Sequence, residues 1–551
     1  MSVKADLILH NGKIITLDPA APVVDAMAVR AGKVLRTGCS GDVKATASSK
    51  TEVINLRGHT MTPGLIDTHV HAVSVGSIGA GAALGFEGTT DALNITKAAS
   101  VKELLQLIEA RVKVSKNGVW IITGWPDVAR LRERRLPTRQ ELDSVSPDNP
   151  VLLTGYPSVR VNSYLLKKAG ITRDTPVPEG GEIEKDPASG EPTGALAFQA
   201  VYQLLPTPPH PSVPATETAI LKVHRNFLAS GLTAYKDAGL WNPAIKAYQN
   251  LRMRDKLLCR THMMYKWLWT AEEAVAVAER MTPYGDDMLM LRAVKLSLDG
   301  GIPSRTAWAY NDWCDPPREK SSDSRGYCKI IPDTLRRMIE VLHAAGLQVC
   351  CHCEGDRAID TYLDSIEAAL TAYPRADCRH TVIHCCVPSD DAIARMRRLG
   401  SNIAVEAQAP RLREDDSAIA CGPERSKRFK PFRTWLENGI IVGNGCDYPV
   451  EPFPPMIGLR SACTREVEDS RLGRYPYGRE ECLTVQQALH TYTLGGARCL
   501  FWEDKIGSLA PGKYADFVVW SDDLYSIPPT ALKNLEALVT AVNGEILHDV
   551  R

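Results

Sequence analysis

Neither sign of charge is in excess in this sequence. Its 551 residues contain 65 lysines and arginines and 65 aspartates and glutamates, so the formal net charge is zero. A protein that binds nucleic acid or an anionic membrane surface through electrostatics needs a basic excess or a basic patch. We therefore expect neither partner, and a small-molecule substrate fits the balance better.

Long apolar runs are also absent. No stretch approaches the roughly 20 apolar residues that a bilayer-spanning helix requires. The first residues place Lys4 and Asp6 in a short strand-like segment and lack the long apolar centre of a signal peptide. The apolar content of 44% and charged content of 24% are typical of a soluble globular protein. The chain is long for a single simple domain.

Cysteine, by contrast, is plentiful. The 15 cysteines are odd in number and scattered, and some are adjacent, as in Cys350–Cys351 and Cys385–Cys386. This pattern favours reduced thiols over a disulfide framework, which predicts a cytoplasmic location.

One short stretch, Pro63–His71, is the point around which the chain is organised. Pro63 and Gly64 interrupt the preceding structure, and a short apolar strand then leads to His69 and His71. Residues two apart in a strand point to the same side, so the two imidazoles converge at the end of the strand. This is a metal-ligand geometry, although a lone His-x-His motif is weak by itself.

The sequence predicts short strands joined by turns at both ends of the chain. Asn11-Gly12 and Asn543-Gly544 are strong hairpin signals. We predict that residues 1–62 and 500–551 together form one small β-sandwich. The alternative is two separate β appendages.

The middle of the chain, residues 63–499, contains two different sequence patterns. Residues 73–230 are irregular, and we interpret them as an inserted subdomain that covers the active site. From residue 231 strands alternate with helices, which predicts a parallel sheet in an α/β fold. With the strand before His71 there are eight strands, as in a closed (β/α)₈ TIM-like barrel, whose active site lies at the C-terminal strand ends.

Five candidate metal ligands fall at these strand ends. His69 and His71 end the first strand, His352 the fifth and His384 the sixth, and Asp447 follows the eighth. A lone histidine is more often a satisfied core or surface residue. Four of the 13 histidines at one rim, with an aspartate, are hard to attribute to chance. Such ligands suit one or two Zn²⁺ ions best, and Mn²⁺ or Fe²⁺ also fits.

Lys295 on the fourth strand is a sixth candidate. A free lysine has a pKa of about 10.4 and makes no useful ligand. Lys295 nevertheless stands in an apolar run, where an unpaired ammonium would be costly. Addition of CO₂ would convert it into a carbamate, whose two oxygens can bridge two metal ions. The alternative is a surface or salt-bridging lysine.

These motifs resemble those of the amidohydrolase superfamily, in particular the YtcJ-like, amidohydrolase family 3 branch that includes N-substituted formamide deformylase. The resemblance covers nearly the whole chain. It rests on six segments: Pro63–His71, Val294–Gly301, His352–Ile359, Val382–His384, Asp447–Val450 and Gly507–Asp516.

The resemblance implies a barrel joined to a β-sandwich, a mono- or binuclear metal centre, and hydrolysis of C–N bonds. It assigns one metal ion to His69, His71 and Asp447. His352 and His384 would hold the second ion, with Lys295 bridging the two as a carboxylated lysine. Dimerisation is a further expectation from the family.

The sequence departs from the family at three positions. Many relatives carry a histidine shortly before the motif that matches Asn162-Ser163, and many carry a glutamate where Phe198 stands. These two losses indicate a different, more apolar substrate. Deaminases of the superfamily typically place a glutamate three residues after the histidine matched by His352, and Gly355 at that position counts against deamination.

The chemistry that follows is metal-assisted hydrolysis, in which bound metal lowers the pKa of water. We expect Asp447 to take the proton of that water and return it to the leaving nitrogen. The alternative is that Asp447 only caps a helix. Asp299 and Arg305 are expected to order the loop after the fourth strand. Seven side chains are candidate substrate contacts, and the alternative for each is ordinary packing in the fold. They are Trp125, Tyr156, Arg160, Asn162, Phe198, Trp308 and Tyr448.

Two other functions remain open at this stage. The same centre could act on a carbamate, an ester or a lactone, or as a decarboxylase, because the pocket and not the fold sets the substrate. A non-catalytic scaffold is the alternative of another class. It predicts lost ligands, whereas all six candidate ligands are present.

Overall fold

The computed structural model describes most of the chain. The described residues are 3–73, 90–93, 98–123, 131–133, 135–153, 158–178, 181–208, 211–314, 324–468 and 470–551. Within them only the backbone is described at 90–93, 198, 199, 202 and 267. Strands are numbered β1–β23 and helices α1–α16 along this part of the chain.

Strands from both termini form one continuous sheet. The order is β23-β22-β21-β5-β1-β2-β3, with β4 paired to β1. The link between the termini is the antiparallel pairing of Phe517–Trp520 with Thr60–Pro63. The alternative of two separate appendages is therefore wrong. The strands are β1 Leu7–Ile15, β2 Val23–Arg30, β3 Lys33–Gly38, β4 Glu52–Asn55, β5 Thr60–Pro63, β21 Phe517–Trp520, β22 Ala537–Val542 and β23 Glu545–Asp549, with the short helix α1 Ser40–Lys44 beside them.

The two Asn-Gly signals have different outcomes. Asn543 and Gly544 both have positive φ, 53° and 72°, and they join β22 to β23 in a hairpin, as predicted. Asn11-Gly12 lies inside β1, where the register with β2 shifts, so the hairpin predicted there is wrong. A Cβ on Gly12 would lie 2.5 Å from Leu56 Cδ1, which shows how closely the chain packs at this irregularity.

Eight parallel strands form the barrel in the order in which they occur along the chain. Each predicted strand is present with its end within a few residues of the expected position, which confirms the predicted fold class. The strands are β6 Leu65–Val70, β13 Leu232–Leu240, β14 Arg260–Trp267, β16 Leu289–Ser297, β17 Gln348–Cys353, β18 His380–His384, β19 Ile403–Ala407 and β20 Ile441–Asn444, and the short β15 Tyr284–Gly285 pairs with β16.

The first and last barrel strands meet at the C-terminal rim. Asp447 N donates to His69 O at 2.7 Å, and His71 N donates to Tyr448 O at 2.8 Å. Cys446 N donates to the carboxylate of Asp67 at 3.2 Å. The residues that join the two strands are thus the candidate ligands themselves and their neighbours.

Helices pack around the barrel, and several of them bury one apolar face. In α9, Leu335, Met338, Ile339 and Leu342 are buried, as the helical period predicts. No helix in the described part of the chain combines the length and the apolar content needed to cross a bilayer. The helices are α6 Val213–Leu228, α7 Asn242–Met253, α8 Ala271–Arg280, α9 Pro332–Ala344, α10 Asp356–Ala372, α11 Asp390–Leu399, α12 Asp416–Lys427, α13 Phe432–Glu437, α14 Pro455–Thr464, α15 Val485–Thr491 and α16 Leu494–Cys499, with 3₁₀ turns at Gly400–Asn402, Ala409–Arg413, Arg479–Glu481 and Pro529–Asn534.

The insertion after β6 has a sheet of its own, ordered β11-β12-β10-β9-β8-β7. Its apolar side chains form two clusters, one containing Trp120 and Leu165 and the other containing Leu153. That the insertion covers the active site stays a prediction. Its elements are β7 Thr90–Leu93, α2 Val101–Val114, β8 Trp120–Thr123, α3 Arg139–Val145, β9 Val151–Leu153, β10 Ser158–Val161, α4 Ser163–Ala169, β11 Gly181–Lys185, β12 Pro192–Phe198 and α5 Gln199–Leu204.

Candidate metal centre

The first group of candidate ligands joins the two ends of the barrel. Asp447 Oδ1 lies 3.2 Å from His71 Nε2 and 3.5 Å from His69 Nε2. Ligand atoms around one tetrahedral Zn²⁺, each about 2.0–2.1 Å from the ion, are separated by similar distances. Asp447 caps no helix in the described residues, since the next helix begins at Pro455.

The second group lies beside the first. The rings of His352 and His384 have centroids 4.4 Å apart, and the ring of His384 lies 5.5 Å from that of His69. Glu354 joins this pair, because one ligand atom from each of the three residues lies within 4.8 Å of the others. The sequence prediction included the two histidines and missed the glutamate.

Hydrogen bonds set which ring nitrogen faces the centre. His71 Nδ1 donates to Ala238 O at 3.0 Å, and His352 Nε2 donates to Gly300 O at 3.1 Å. His384 Nδ1 donates to Gln408 Oε1 at 2.7 Å, and Lys430 Nζ donates to the same oxygen at 2.9 Å. A nitrogen that donates carries the ring proton, so the other nitrogen of each ring keeps a lone pair for a metal ion.

Lys295 contacts the first group and lies near enough to the second for its charge to act on His352 and His384. It is 2% exposed, which excludes a surface lysine, and its Nζ lies 3.4 Å from His69 Nε2. Among the described residues, no carboxylate lies within salt-bridge distance of Lys295. Burial lowers the pKa of Lys295. A carbamate at this position would replace a poorly solvated ammonium with an anion between two metal ions.

The environment favours the neutral form of three of the candidate histidines. Burial lowers the pKa of His69, His352 and His384 well below the usual value, and the positive charge of Lys295 lowers all three further. Neutral imidazole is the form that binds metal ions. The donor set therefore fits one or two ions of the Zn²⁺, Mn²⁺ or Fe²⁺ type.

Below the first group, the barrel interior holds a buried ion pair. Lys236 on β13 pairs with Glu406 Oε1 on β19, and neither side chain is exposed. Glu406 Oε2 lies 3.7 Å from His69 Nδ1, which is too far for a hydrogen bond, and neither atom has a hydrogen-bond partner among the described residues. Metal-bound histidines commonly present their second nitrogen to a carboxylate, so these two facing atoms also fit a metal at His69.

Two ligand positions have left-handed backbone. The φ angles of His384 and Asp447 are 71° and 60°, in a region that residues other than glycine rarely occupy. Such conformations cluster at functional sites, where the surrounding structure holds them in place. Here both residues follow or end a barrel strand, and the turn directs their side chains into the centre.

The described candidate substrate contacts have different surroundings. Tyr448 follows Asp447, and its ring packs edge-on against Phe453. Trp308 lies under the guanidinium of Arg357, 4.3 Å from the ring centroid, so its indole remains near the rim.

In the insertion, Arg160 Nη1 donates to Ser158 Oγ at 2.6 Å. Asn162 is buried and caps α4, and its amide also bonds to the backbone of Ser146, Asn149 and Val151. The structure thus gives Asn162 a folding role. Trp125, Tyr156 and the side chain of Phe198 lie outside the described residues.

Some of the missed residues had a signal in the sequence. His352 and Glu354 are two apart at a strand end, the same spacing that identified His69 and His71. Glu406 and Gln408 repeat this spacing at the end of β19. Lys430 follows a helix and a turn, and no local pattern indicates that it reaches Gln408.

A third group, His343, Cys378 and His380, lies at the opposite end of β18 and is not suited to a metal ion. Val349 N donates to His380 Nδ1 at 3.0 Å, and His343 Nε2 donates to Tyr373 O at 2.7 Å. This leaves a proton on His380 Nε2, which donates to His343 Nδ1 at 2.9 Å. Hydrogen bonds therefore use all four ring nitrogens.

Imidazole and carboxylate groups gathered at the C-terminal rim of a parallel barrel define the class of metal-dependent barrel hydrolases. The chain belongs to the amidohydrolase family, whose sequence profile, described as "Amidohydrolase family", matches residues 52–548. The family predicted from the sequence motifs is thereby confirmed.

Individual relatives match over their full lengths. The chain is 30% identical to YtcJ of Bacillus subtilis (strain 168), over 98% of this chain and 99% of that protein. It is 27% identical to the N-substituted formamide deformylase of Arthrobacter pascens, over 100% of this chain and 99% of that protein. An uncharacterized metal-dependent hydrolase from Pyrococcus horikoshii OT3 has the same fold, with a TM-score of 0.71 and 22% identity, over 95% of this chain and 99% of that one.

Proposed function

We propose that the protein hydrolyses an amide or N-formyl type C–N bond of a small molecule with metal-activated water. The observation that carries this proposal is that two groups of candidate ligands, His69–His71–Asp447 and His352–His384, lie side by side with Lys295 in contact with the first group. Similarity to an N-substituted formamide deformylase supports the choice of bond.

The metal centre would be held as the ligand groups indicate. His69, His71 and Asp447 would hold one ion, and His352 and His384 would hold the other, with Lys295 in its carboxylated form as a further ligand. Bound Zn²⁺, or Mn²⁺ or Fe²⁺ in its place, supplies a water acidic enough to act as a nucleophile near neutral pH.

Asp447 moves the proton in this scheme. Its carboxylate takes a proton from the attacking water as the oxygen bonds to the carbonyl carbon. It then gives the proton to the leaving nitrogen as the C–N bond breaks, because an amide anion is a poor leaving group. The chain keeps Asp447 in position through its backbone N–H, which donates to His69 O at 2.7 Å.

The test compares N-formyl, N-acyl, carbamate and ester derivatives of one apolar amine as substrates of the Zn²⁺-loaded protein. We expect metal-dependent release of amine from the formyl or acyl compounds, reduced at least about 100-fold in Asp447→Asn. The control is Asp390→Asn, an exposed aspartate paired with Arg428, which should retain activity. Turnover of the ester alone, or protein that binds no metal, would contradict the proposal.

A further inference from the structure

Glu354 extends the second ligand group by one carboxylate. Its ligand atom and those of His352 and His384 lie within 4.8 Å of one another. The two histidines face the group with His352 Nδ1 and His384 Nε2, because their other nitrogens donate to Gly300 O and Gln408 Oε1. A carboxylate oxygen is the third donor that a hard or borderline divalent ion would bind here.

The backbone that carries Glu354 is fixed by Asp299. The carboxylate of Asp299 accepts hydrogen bonds from Glu354 N at 3.0 Å, Gly355 N at 2.8 Å and Trp308 N at 2.9 Å. Asp299 thus ties the end of β17 to the loop after β16, as the sequence prediction for that loop expected. Ligands held in this way need little reorganisation when an ion binds.

One hydrogen bond, to one of its two carboxylate oxygens, positions the side chain of Glu354. Glu354 Oε2 accepts a hydrogen bond from Ile302 N at 2.7 Å. No cation lies within salt-bridge distance of this carboxylate among the described residues. Glu354 is only partly exposed, and a carboxylate withdrawn from water normally pairs with a cation or a metal ion. Its environment is therefore that of a ligand more than that of an ion-pair partner.

The position three residues after His352 is closed to any side chain. A Cβ on Gly355 would lie 2.1 Å from Trp308 O. A glutamate there, as in deaminases, would clash with the backbone that Asp299 holds. The acidic group at this strand end therefore stands two residues after His352, on the same side of the chain as the histidine.

Charge favours the same assignment. Two divalent ions carry four positive charges, whereas Asp447, a carbamate on Lys295 and a hydroxide supply three negative ones. Glu354 supplies the fourth. A site with zero net charge avoids most of the desolvation penalty of a buried centre.

We propose that Glu354 is a ligand of the second metal ion, together with His352 and His384. This inference rests on the metal-dependent function proposed above. It predicts that Glu354 determines how many ions the centre holds, independently of the substrate.

The test measures metal binding by the full chain. Metal-free wild type, Glu354→Gln and Glu354→Asp are titrated with Zn²⁺ against a chromophoric chelator, and bound ions per chain are counted by elemental analysis. We expect two ions in the wild type. In Glu354→Gln we expect the first ion at wild-type affinity and the second weakened at least about 10–100-fold. Glu354→Asp should lie between the two.

The control is Glu414→Gln, a partly buried glutamate that pairs with Arg411 and Arg413 at the same rim and should bind two ions. Retention of the first ion shows that the variant is folded. A second ion bound with wild-type affinity in Glu354→Gln would overturn the inference, even if activity were lost. A single ion in the wild type would overturn it while the proposed function stands, whereas no ion in the wild type would remove both.

Discussion

At the scale of single residues, His224 shows how burial turns a side chain into a source of acid sensitivity. It lies on α6, fully buried, and its Nε2 hydrogen-bonds to Tyr235 Oη at 2.7 Å. Tyr235, Tyr248 and Asp237 continue this chain of hydrogen bonds toward the rim. Burial lowers the pKa of His224 from 6.5 to about 3.

This depressed pKa predicts the direction of a pH effect on stability. Below pH 6.5 the unfolded chain binds a proton at His224 and the folded chain does not, so stability falls as the pH falls toward 3. For each pH unit that the pH falls within this window, the free energy of unfolding should decrease by about 1.4 kcal/mol more in the wild type than in His224→Gln. Denaturant unfolding of metal-free protein at several pH values measures the two slopes, and parallel slopes would refute the prediction.

Single residues also show what the sequence could reveal of the site. Five ligand candidates were recognised because each stands at or just after the end of a predicted strand, where neighbouring strands bring their last residues together. Lys295 was recognised because an unpaired lysine is costly in an apolar run. Gln408 and Lys430 were missed because their role depends on a hydrogen bond between distant segments. Lys236 and Glu406 were missed because a single charged residue in an apolar strand does not reveal which distant residue it pairs with.

At the scale of elements, strands could be predicted because burial on both faces leaves continuous apolar runs. Turns were less predictable. A type I′ hairpin needs positive φ at both central residues. Asn543 and Gly544 meet this condition, but in Asn11-Gly12 only the asparagine does, because Gly12 packs against Leu56 and His59. Pairing of β1 with β4 and β5 thus overrides the local signal.

The loop at the end of β17 gives a prediction at this scale. Gly355→Ala should push the loop away from Trp308, destabilise the protein by about 1–3 kcal/mol and weaken binding of the second metal ion. Gly301→Ala is the matched control, since its nearest neighbour would be 3.6 Å away. Thermal unfolding and Zn²⁺ titration of both variants provide the check, and equal behaviour would count against the close packing described here.

At the scale of the whole molecule, the terminal sheet is fastened to the base of the barrel. Arg260 at the start of β14 forms a two-point ion pair with Asp516, with Nε–Oδ2 and Nη2–Oδ1 distances of 2.6 and 2.9 Å. Both side chains are buried. Gly231 lies directly against the ring of Trp520, where a Cβ would come within 2.6 Å. The sequence predicted both domains, but it held no signal for this pair.

Asp516→Ala should therefore destabilise the whole protein. It leaves the Arg260 guanidinium buried without its carboxylate, a change that typically costs about 3–5 kcal/mol. Asp42→Ala removes an exposed partner of Arg36, a residue of the same sheet, and should cost no more than about 1 kcal/mol. Calorimetry of both variants tests the difference, and similar midpoints would show that the buried pair adds little.

The seam between the first and last barrel strands has a consequence for synthesis of the protein. The backbone contacts that join these strands are those of His69, His71, Asp447 and Tyr448. During synthesis, His69 and His71 leave the ribosome hundreds of residues before the last barrel strand. Closure of the barrel and assembly of the first group of candidate ligands therefore depend on the same residues, so this group is complete only after the last strand has been made.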